Sequence, residues 1–387
     1  MSADSRIVPS RRSGLQSSVL QVATQVIQKA NGEHPADAVL RETFKRLRVL
    51  STDETREITN AVFTYYRWFD WLDRDQPIPK QIEEAIRFAR DFQQNPSSVG
   101  IAALRTKAVP EWAGGQVEAS DEWFQTLQRE PNLWLRAKRG QGKALAGKLG
   151  KAETGLLPDG VHYHGEEDLF RTPEFHSGEF ELQDISSQAV GFICNPQPGE
   201  TWWDACAGEG GKLLHLSDLM ENKGLIWASD RAEWRLKHLK RRAGRAKTFN
   251  YRAALWNGGA KLPTKTKFDG ILVDAPCSGL GTWQRNPHAR WTTTLDDVKE
   301  LASLQKQLLS NVAPSIKPGG TLIYAVCTLT RSETVEVAKY FEEQFADFQP
   351  VAVPNPLKPD APASQRVWIW PQDSGGNGMF VAVWRKI

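Results

Sequence analysis

The sequence predicts an α/β protein, a doubly wound sheet preceded by a helical region, from three observations. From about Phe180 onward, short apolar runs alternate with segments of helical periodicity. A glycine-rich turn, Gly208-Glu209-Gly210-Gly211, follows the first strong run, Thr201-Trp202-Trp203-Asp204. Two further runs, residues 268–274 and 320–326, lead into Asp274-Ala275-Pro276-Cys277 and Cys327-Thr328. In open α/β sheets, ligands and chemistry gather at the carboxyl ends of the strands. Two thiols delivered there by neighbouring strands point to nucleophilic chemistry on a carbon electrophile.

A chain of 387 residues has room for two or three domains. The fifteen tryptophans supply flat apolar faces, for packing or for stacking on bases. A net charge of +3 permits a nucleic-acid partner without arguing for one, because clustering of charge matters more than its total. The four cysteines contain no C-x-x-C pair, so no metal is expected, and sparse unpaired thiols fit a reducing compartment. The start, Met1-Ser2-Ala3-Asp4-Ser5-Arg6, lacks an apolar core, and no apolar run of about 18 residues occurs. A cytoplasmic protein with no membrane partner, acting as a monomer, is expected.

Residues 1–13 read as a polar, basic arm. From Leu15 the apolar residues Leu15, Val19, Val22 and Val26 recur at helical spacing. After Pro35, a second helix places Val39, Leu40, Phe44 and Leu47 on one side and a basic stripe, Arg41, Lys45 and Arg48, on the other. Ser51 and Glu54 form a capping box that starts a helix with Ile58, Val62, Tyr65 and Phe69 inward. Another helix covers about residues 80–92. Residues 96–130 carry no clear pattern. A strand at 131–138, a Lys-rich helix at 142–151 and a turn-rich stretch at 155–160 make a small α/β unit. Strands at 201–206 and 224–230, a helix at 232–244 and a long helix at 295–315 complete the alternation. Met379–Trp384 is a late strand, paired antiparallel at or near an edge. The predicted domains are 1–125, 126–180 and 181–387.

The glycine loop has two readings, simple turn chemistry or close approach of a ligand to a helix N-terminus. Asp230, ending the next strand, stands where an acidic side chain accepts hydrogen bonds from ribose hydroxyls, which favours a nucleoside cofactor. Neither G-x-G-x-x-G nor a P-loop is present. Cys194 and Cys206 read as small core hydrophobes. Cys277 lies in a tight loop, and Cys327 precedes a predicted helix around 332–345, whose dipole would favour a thiolate. Arg285 and Arg290 read either as a surface loop or as phosphate contacts. The cluster Arg235, Lys237, Lys240, Arg241, Arg242 and Arg245 reads as a solvated face or a polyanion surface. His215, His238 and His288 have no partner spacing that suggests ligands or a triad.

Several segments together carry a family resemblance. Asp-Ala-Cys-Ala-Gly-Glu-Gly-Gly-Lys (204–212), Asp-Ala-Pro-Cys-Ser-Gly-Leu-Gly-Thr (274–282), Arg-Asn-Pro (285–287), Val-Cys-Thr (326–328) and Leu-Gln-Asp-Ile-Ser-Ser-Gln (182–188) resemble the RNA cytosine-5 methyltransferases of the Sun/NSUN family. The resemblance covers about residues 130–387. The N-terminal helices, with Asp53-Glu54-Thr55-Arg56 and Arg67-Trp68-Phe69-Asp70, resemble a NusB-like RNA-binding domain, as in the bacterial RsmB-like branch.

The resemblance implies a Rossmann-like domain that uses S-adenosylmethionine, a small α/β RNA-binding subdomain and RNA, chiefly small-subunit ribosomal RNA, as partner. It implies that Cys206, Ala207, Gly208, Glu209, Gly210, Gly211 and Lys212 wrap the cofactor, with Asp230 on its ribose and Arg235 and Asp274 beside it. Cys327 is implied as the nucleophile, Cys277 as the thiol that helps release product, and Asp274 as the catalytic carboxyl. Glu209 stands where the family has proline, Leu213 where threonine is common and Val326 where threonine precedes the nucleophile. No acidic residue is evident after the third strand, where Phe249-Asn250-Tyr251-Arg252 lies, so the adenine contacts are left open. Methylation of transfer RNA or another RNA, and a non-catalytic assembly factor on the same fold, are the alternatives.

Overall fold

The computed structural model describes residues 16–47 and 50–387. Leu15 and Arg48 lie outside them. The chain divides into two compact units, residues 1–108 with 286–292, and residues 109–285 with 293–387. The boundary therefore falls at Ala108 and not near 125. The helices of 109–127 belong with the larger unit, and Asn286–Thr292 belongs with the smaller one.

The smaller unit is helical. Its helices are Ser17–Lys29, Ala36–Arg46, Thr52–Arg67, Ile78–Gln94 and Ile101–Lys107. The Ser51–Glu54 capping box is formed in both directions, satisfying two N–H groups that the first turn leaves without partners. Val19, Val26, Ile58, Val62 and Tyr65 are buried, as their spacing requires. Leu47 is 39% exposed, because the second helix ends at Arg46 and releases it from the apolar face. The short helix Pro287–Thr292 completes this unit. Arg290 is wholly buried there, its Nη1 donating to the Ala108 carbonyl at 3.0 Å. It is a structural tie and not a phosphate contact.

The larger unit holds two sheets. The first is antiparallel and runs β2-β3-β1-β4, from β1 (Leu133–Ala137), β2 (Ala152–Thr154), β3 (Gly160–Tyr163) and β4 (Phe180–Leu182). The second contains β5 (Thr201–Asp204), β6 (Leu225–Asp230), β7 (Tyr251–Leu255), β8 (Phe268–Asp274), β9 (Ile316–Val326), β10 (Phe348–Pro350), β11 (Arg366–Ile369) and β12 (Met379–Lys386). Its order is β10-β12-β9-β8-β5-β6-β7, with β11 also on β12. The five strands from β7 to β9 are parallel and β12 is antiparallel to β9. This is the Rossmann-like sheet that the resemblance implies.

Helices cover both faces, so the central strands are apolar on both sides. Ile323 and Ala325 of β9 face the core beneath the helices Gly211–Leu219 and Glu233–Ala246. Leu322, Tyr324 and Val326 face the opposite core, with Leu295–Val312 and Val335–Gln344. The chain order reverses between β5 and β8, and at that switch point a crevice opens at the strand ends. Trp203, Trp283 and Trp384 are buried wholly, and Trp234 is the one substantially exposed tryptophan among the described residues. Among the described residues the tryptophans serve mainly in packing.

Candidate active site

Asp204, Asp230 and Asp274 end β5, β6 and β8, and register places Asp274 beside Ala325 of β9. The four strands thus deliver three carboxyls and the Cys327 turn to one edge of the sheet. A cavity of about 390 Å³ opens there. Ala205, Cys206, Ala207, Gly208, Glu209, Gly211 and Lys212 line one side, with Asp230, Arg231 and Arg235 next to them and Asp274 toward the thiols. Gly210 does not line the cavity. It adopts φ +87°, and a Cβ there would strike Leu239 at 2.8 Å, so its service is to let the loop turn into the helix.

Asp230 organises the glycine loop. Its Oδ2 accepts from the Gly208 N–H at 3.1 Å, and its Oδ1 accepts from the Ala232 N–H at 2.8 Å. Arg235 Nη1 lies 3.7 Å from Oδ2. Trp256, Asn257, Gly258, Leu304 and Leu308 line the far wall. The sequence reading missed this wall. Asn257-Gly258 lies one residue past the third parallel strand, and a turn pair at a strand's carboxyl end is the signal for it.

Lys212 Nζ lies 2.6 Å from Asp274 Oδ2, in a largely buried pair. Burial works against the charged lysine, but contact with Asp274, then Cys327 and Asp204, holds its pKa above the usual value. The Cys277 and Cys327 sulfurs are 3.3 Å apart. The Cys327 pKa is lowered, first by the hydrogen bond from Cys277 and also by Lys212, while burial, Asp274 and Glu333 oppose. The Cys277 pKa is raised well above the thiol range, first by that same hydrogen bond, then by burial and the neighbouring charges. Of the two, Cys327 is the thiol that ionises more readily and Cys277 the one that holds its proton more tightly. A helix dipole is not the cause, since Val335–Gln344 starts eight residues beyond Cys327. The Gly281 N–H donates to the Cys327 carbonyl at 3.0 Å, and a Cβ at Gly281 would fall 2.0 Å from the Gly378 oxygen. Only glycine lets the Cys277 loop lie this close.

Asp204 sits beneath the cavity floor. Among the described residues its carboxyl oxygens find no hydrogen-bond partner of normal geometry, and the Leu213 backbone N–H eases its charge only weakly. Burial first, then Asp274, push its pKa up to about 8, with Lys212 opposing. An unfolded aspartate titrates near about 3.9, so between these values the native state binds the extra proton and stability falls as pH rises. Asp204→Asn removes that dependence. Its stability gain over the parent should be near zero at pH 4 and roughly 1–3 kcal/mol at pH 8, measured by thermal unfolding in the two buffers.

The expected RNA contacts are dispersed. Arg41 is exposed but paired with Asp37 at 2.8 Å, and Lys45 is exposed. Arg285 is engaged by Asp184 at 3.1 Å and by the Asn132 carbonyl at 3.2 Å, which makes it a brace in this structure. Arg242 and Arg245 both pair with Glu181, whereas Lys240, Arg241 and Lys237, the last of these held by Glu233 at 3.1 Å, are exposed. Cys194 is core, as expected, whereas Cys206 reaches the cavity. Away from the site, Glu153, His162 and His164 bring potential ligand atoms within 4.8 Å of one another, a grouping that cysteine spacing alone did not bring out.

The family model of the 16S rRNA methyltransferase RsmB/F matches residues 191–385, about half of the chain. The probable ribosomal RNA small subunit methyltransferase B of Synechocystis is 37% identical over 375 residues, covering 93% of this chain and 76% of the relative. The chain belongs to the RsmB/F methyltransferase family. The RsmB/F match spans both cysteine turns, the glycine loop and Asp230. The crystal structure of PH0851 superimposes with a TM-score of 0.79 at 22% identity, over 97% of this chain and 100% of that one. NSun6 from Pyrococcus horikoshii, solved with SFG, gives a TM-score of 0.60 at 20% identity, over 69% of this chain and 94% of that one. These two likenesses concern the fold. Among the described residues, no helix is long and apolar enough to cross a membrane.

Proposed function

We propose that this chain methylates C5 of a cytosine in RNA, with small-subunit ribosomal RNA as substrate and S-adenosylmethionine as donor. The observation that carries the reading is the pair of thiols 3.3 Å apart, with opposite pKa shifts, beside the Lys212–Asp274 pair. C5 of cytosine is a poor nucleophile until a thiolate adds at C6. Cys327 is suited to that addition and Cys277 to removal of the C5 proton, after which the Cys327–C6 bond breaks. Thiolate addition makes the ring negative, and Asp274, taking a proton from Lys212, would pass it to N3 and so neutralise that charge. The base must leave its stack to reach the thiols.

The cavity fits the donor. Its volume, the open space over Gly208, the Asp230 carboxyl and the Trp256–Leu308 wall suit a nucleoside with an amino-acid arm. SFG, bound in the NSun6 structure, is an analogue of S-adenosylmethionine. When bound, the cofactor supplies an electrophilic methyl group on sulfonium sulfur. Asp230 would hold ribose hydroxyls and Asn257 would face the adenine side. Asp230→Ala should weaken cofactor binding by roughly 1.5–3 kcal/mol in calorimetry. Unchanged affinity in a folded variant would remove Asp230 from the site.

The helical unit, through Arg41, Lys45 and Arg48, together with Lys240 and Arg241, is proposed to contact RNA phosphates. The test of the whole reading is methyl transfer to purified RNAs followed by nucleoside analysis. Label in 5-methylcytidine of small-subunit RNA supports it. Label in transfer RNA moves the substrate, and label in another nucleoside sinks the C5 mechanism.

A further inference from the structure

Glu333 is wholly buried in the turn between Cys327 and the helix Val335–Gln344. None of the steps above uses it. Among the described residues its carboxylate accepts five hydrogen bonds, all from neutral groups. Oε1 takes the Ser278 N–H at 2.8 Å and Gln305 Nε2 at 3.0 Å. Oε2 takes the hydroxyls of Ser278 at 2.5 Å, Thr330 at 2.8 Å and Thr328 at 3.2 Å. Burying a carboxylate without a cation is costly, and this many donors offset the lost water. The core anchors the same turn, since the Tyr324 hydroxyl donates to the Glu333 carbonyl at 2.6 Å.

The partners say what the carboxylate holds. Ser278 directly follows Cys277, and Thr328 directly follows Cys327. Gln305 Nε2 also reaches the Pro276 carbonyl, at 2.9 Å, on the other side of Cys277. Strand pairing between β8 and β9 stops at Asp274 and Ala325, so each thiol stands on a loop that the sheet no longer aligns. One side chain ties the residue after each thiol to the other.

We infer that Glu333 is a positioning residue that sets the spacing of the Cys277 and Cys327 sulfurs by clamping the turn after each. Its importance to activity rests on the two-thiol mechanism proposed above. Its effect on spacing does not, and this separates the two in the test. A shift of about 1 Å in a reacting group can cost about a hundredfold in rate.

The probe is phenylarsine oxide, which takes up two nearby thiols, forming two As–S bonds and releasing one water. Its attachment is mapped by mass spectrometry on the full chain, beside kcat, KM for RNA and cofactor affinity. The parent protein should bridge Cys277 to Cys327. Glu333→Ala should bridge at least about tenfold more slowly and lose about a hundredfold in kcat, with cofactor affinity held, since Glu333 does not line the cavity. Glu333→Gln keeps the shape: its oxygen can accept at Ser278 N–H, and its amide can donate to hydroxyls that turn to receive it. It should restore bridging and recover much of the kcat. If Glu333→Ala does not fold, the Ser278→Ala/Thr330→Val double variant removes two arms, keeps the carboxylate and should slow bridging in the same way. Parent-like bridging in folded Glu333→Ala, or in the double variant where Glu333→Ala does not fold, would overturn the inference. So would Glu333→Gln behaving like Glu333→Ala, since charge and not bracing would then matter. Lost bridging with full methyl transfer would keep the clamp and retire the two-thiol mechanism.

Discussion

Cys327→Ala is expected to abolish methyl transfer and any covalent protein–RNA complex, whereas Cys277→Ala should accumulate such a complex. The asymmetry follows from which thiol ionises first. The two sulfurs share a hydrogen bond at 3.3 Å that lowers the Cys327 pKa and raises that of Cys277 well above the thiol range. Cys327 is therefore the sulfur able to add at C6, and its loss should lower kcat by at least about a thousandfold. Cys277, once its own proton has passed to water, is the stronger base, suited to taking the C5 proton after transfer. Without it the methylated base stays bonded to Cys327. Denaturing electrophoresis with labelled RNA reads the difference directly. An adduct from the Cys327 variant alone would exchange the roles. Full activity in both variants, with no adduct in either, would sink the covalent mechanism.

The elements that build this site were legible for a physical reason. Strands buried on both faces appear as continuous apolar runs, and those at 201–204, 225–230 and 268–274 end on acidic residues where the chain must turn. The Ser51–Glu54 box was legible because its partners are three residues apart. Arg290 was not. A sequence shows its charge but not that it lies against Ala108, 182 residues away. Nor could residues 286–292 be seen to belong with the N-terminal helices. Asn257 and Glu333 were missed for a related reason: polar residues gain meaning from what folding brings to them. Ser278 and Glu333 are 55 positions apart and meet only because β8 and β9 are neighbours. Charge density misled in the same way on the helix Glu233–Ala246, where Glu181 of β4 engages two of its arginines.

Lys212→Met should be the other large loss. Lys212 pairs with Asp274 and is the cation that lowers the Cys327 pKa, and its own raised pKa keeps it charged across the working range. The groups that set the Cys327 pKa pull in opposite directions, with Cys277 and Lys212 lowering it and Asp274 and Glu333 raising it. Removing the cation leaves two carboxylates facing the thiol, so its pKa must rise. The ascending limb of the pH–rate profile should then move upward by roughly one pH unit, with kcat at pH 7 falling by about a hundredfold. Stability should fall as well, near the low end of roughly 3–5 kcal/mol for breaking a buried pair, because Asp274 keeps 28% exposure and some access to water. Lys212→Arg keeps the charge and should keep the position of the limb, even if its bulk lowers kcat. A Lys212→Met profile that drops without shifting would show that Lys212 serves Asp274 alone, and that the hydrogen bond from Cys277 is sufficient to ionise Cys327.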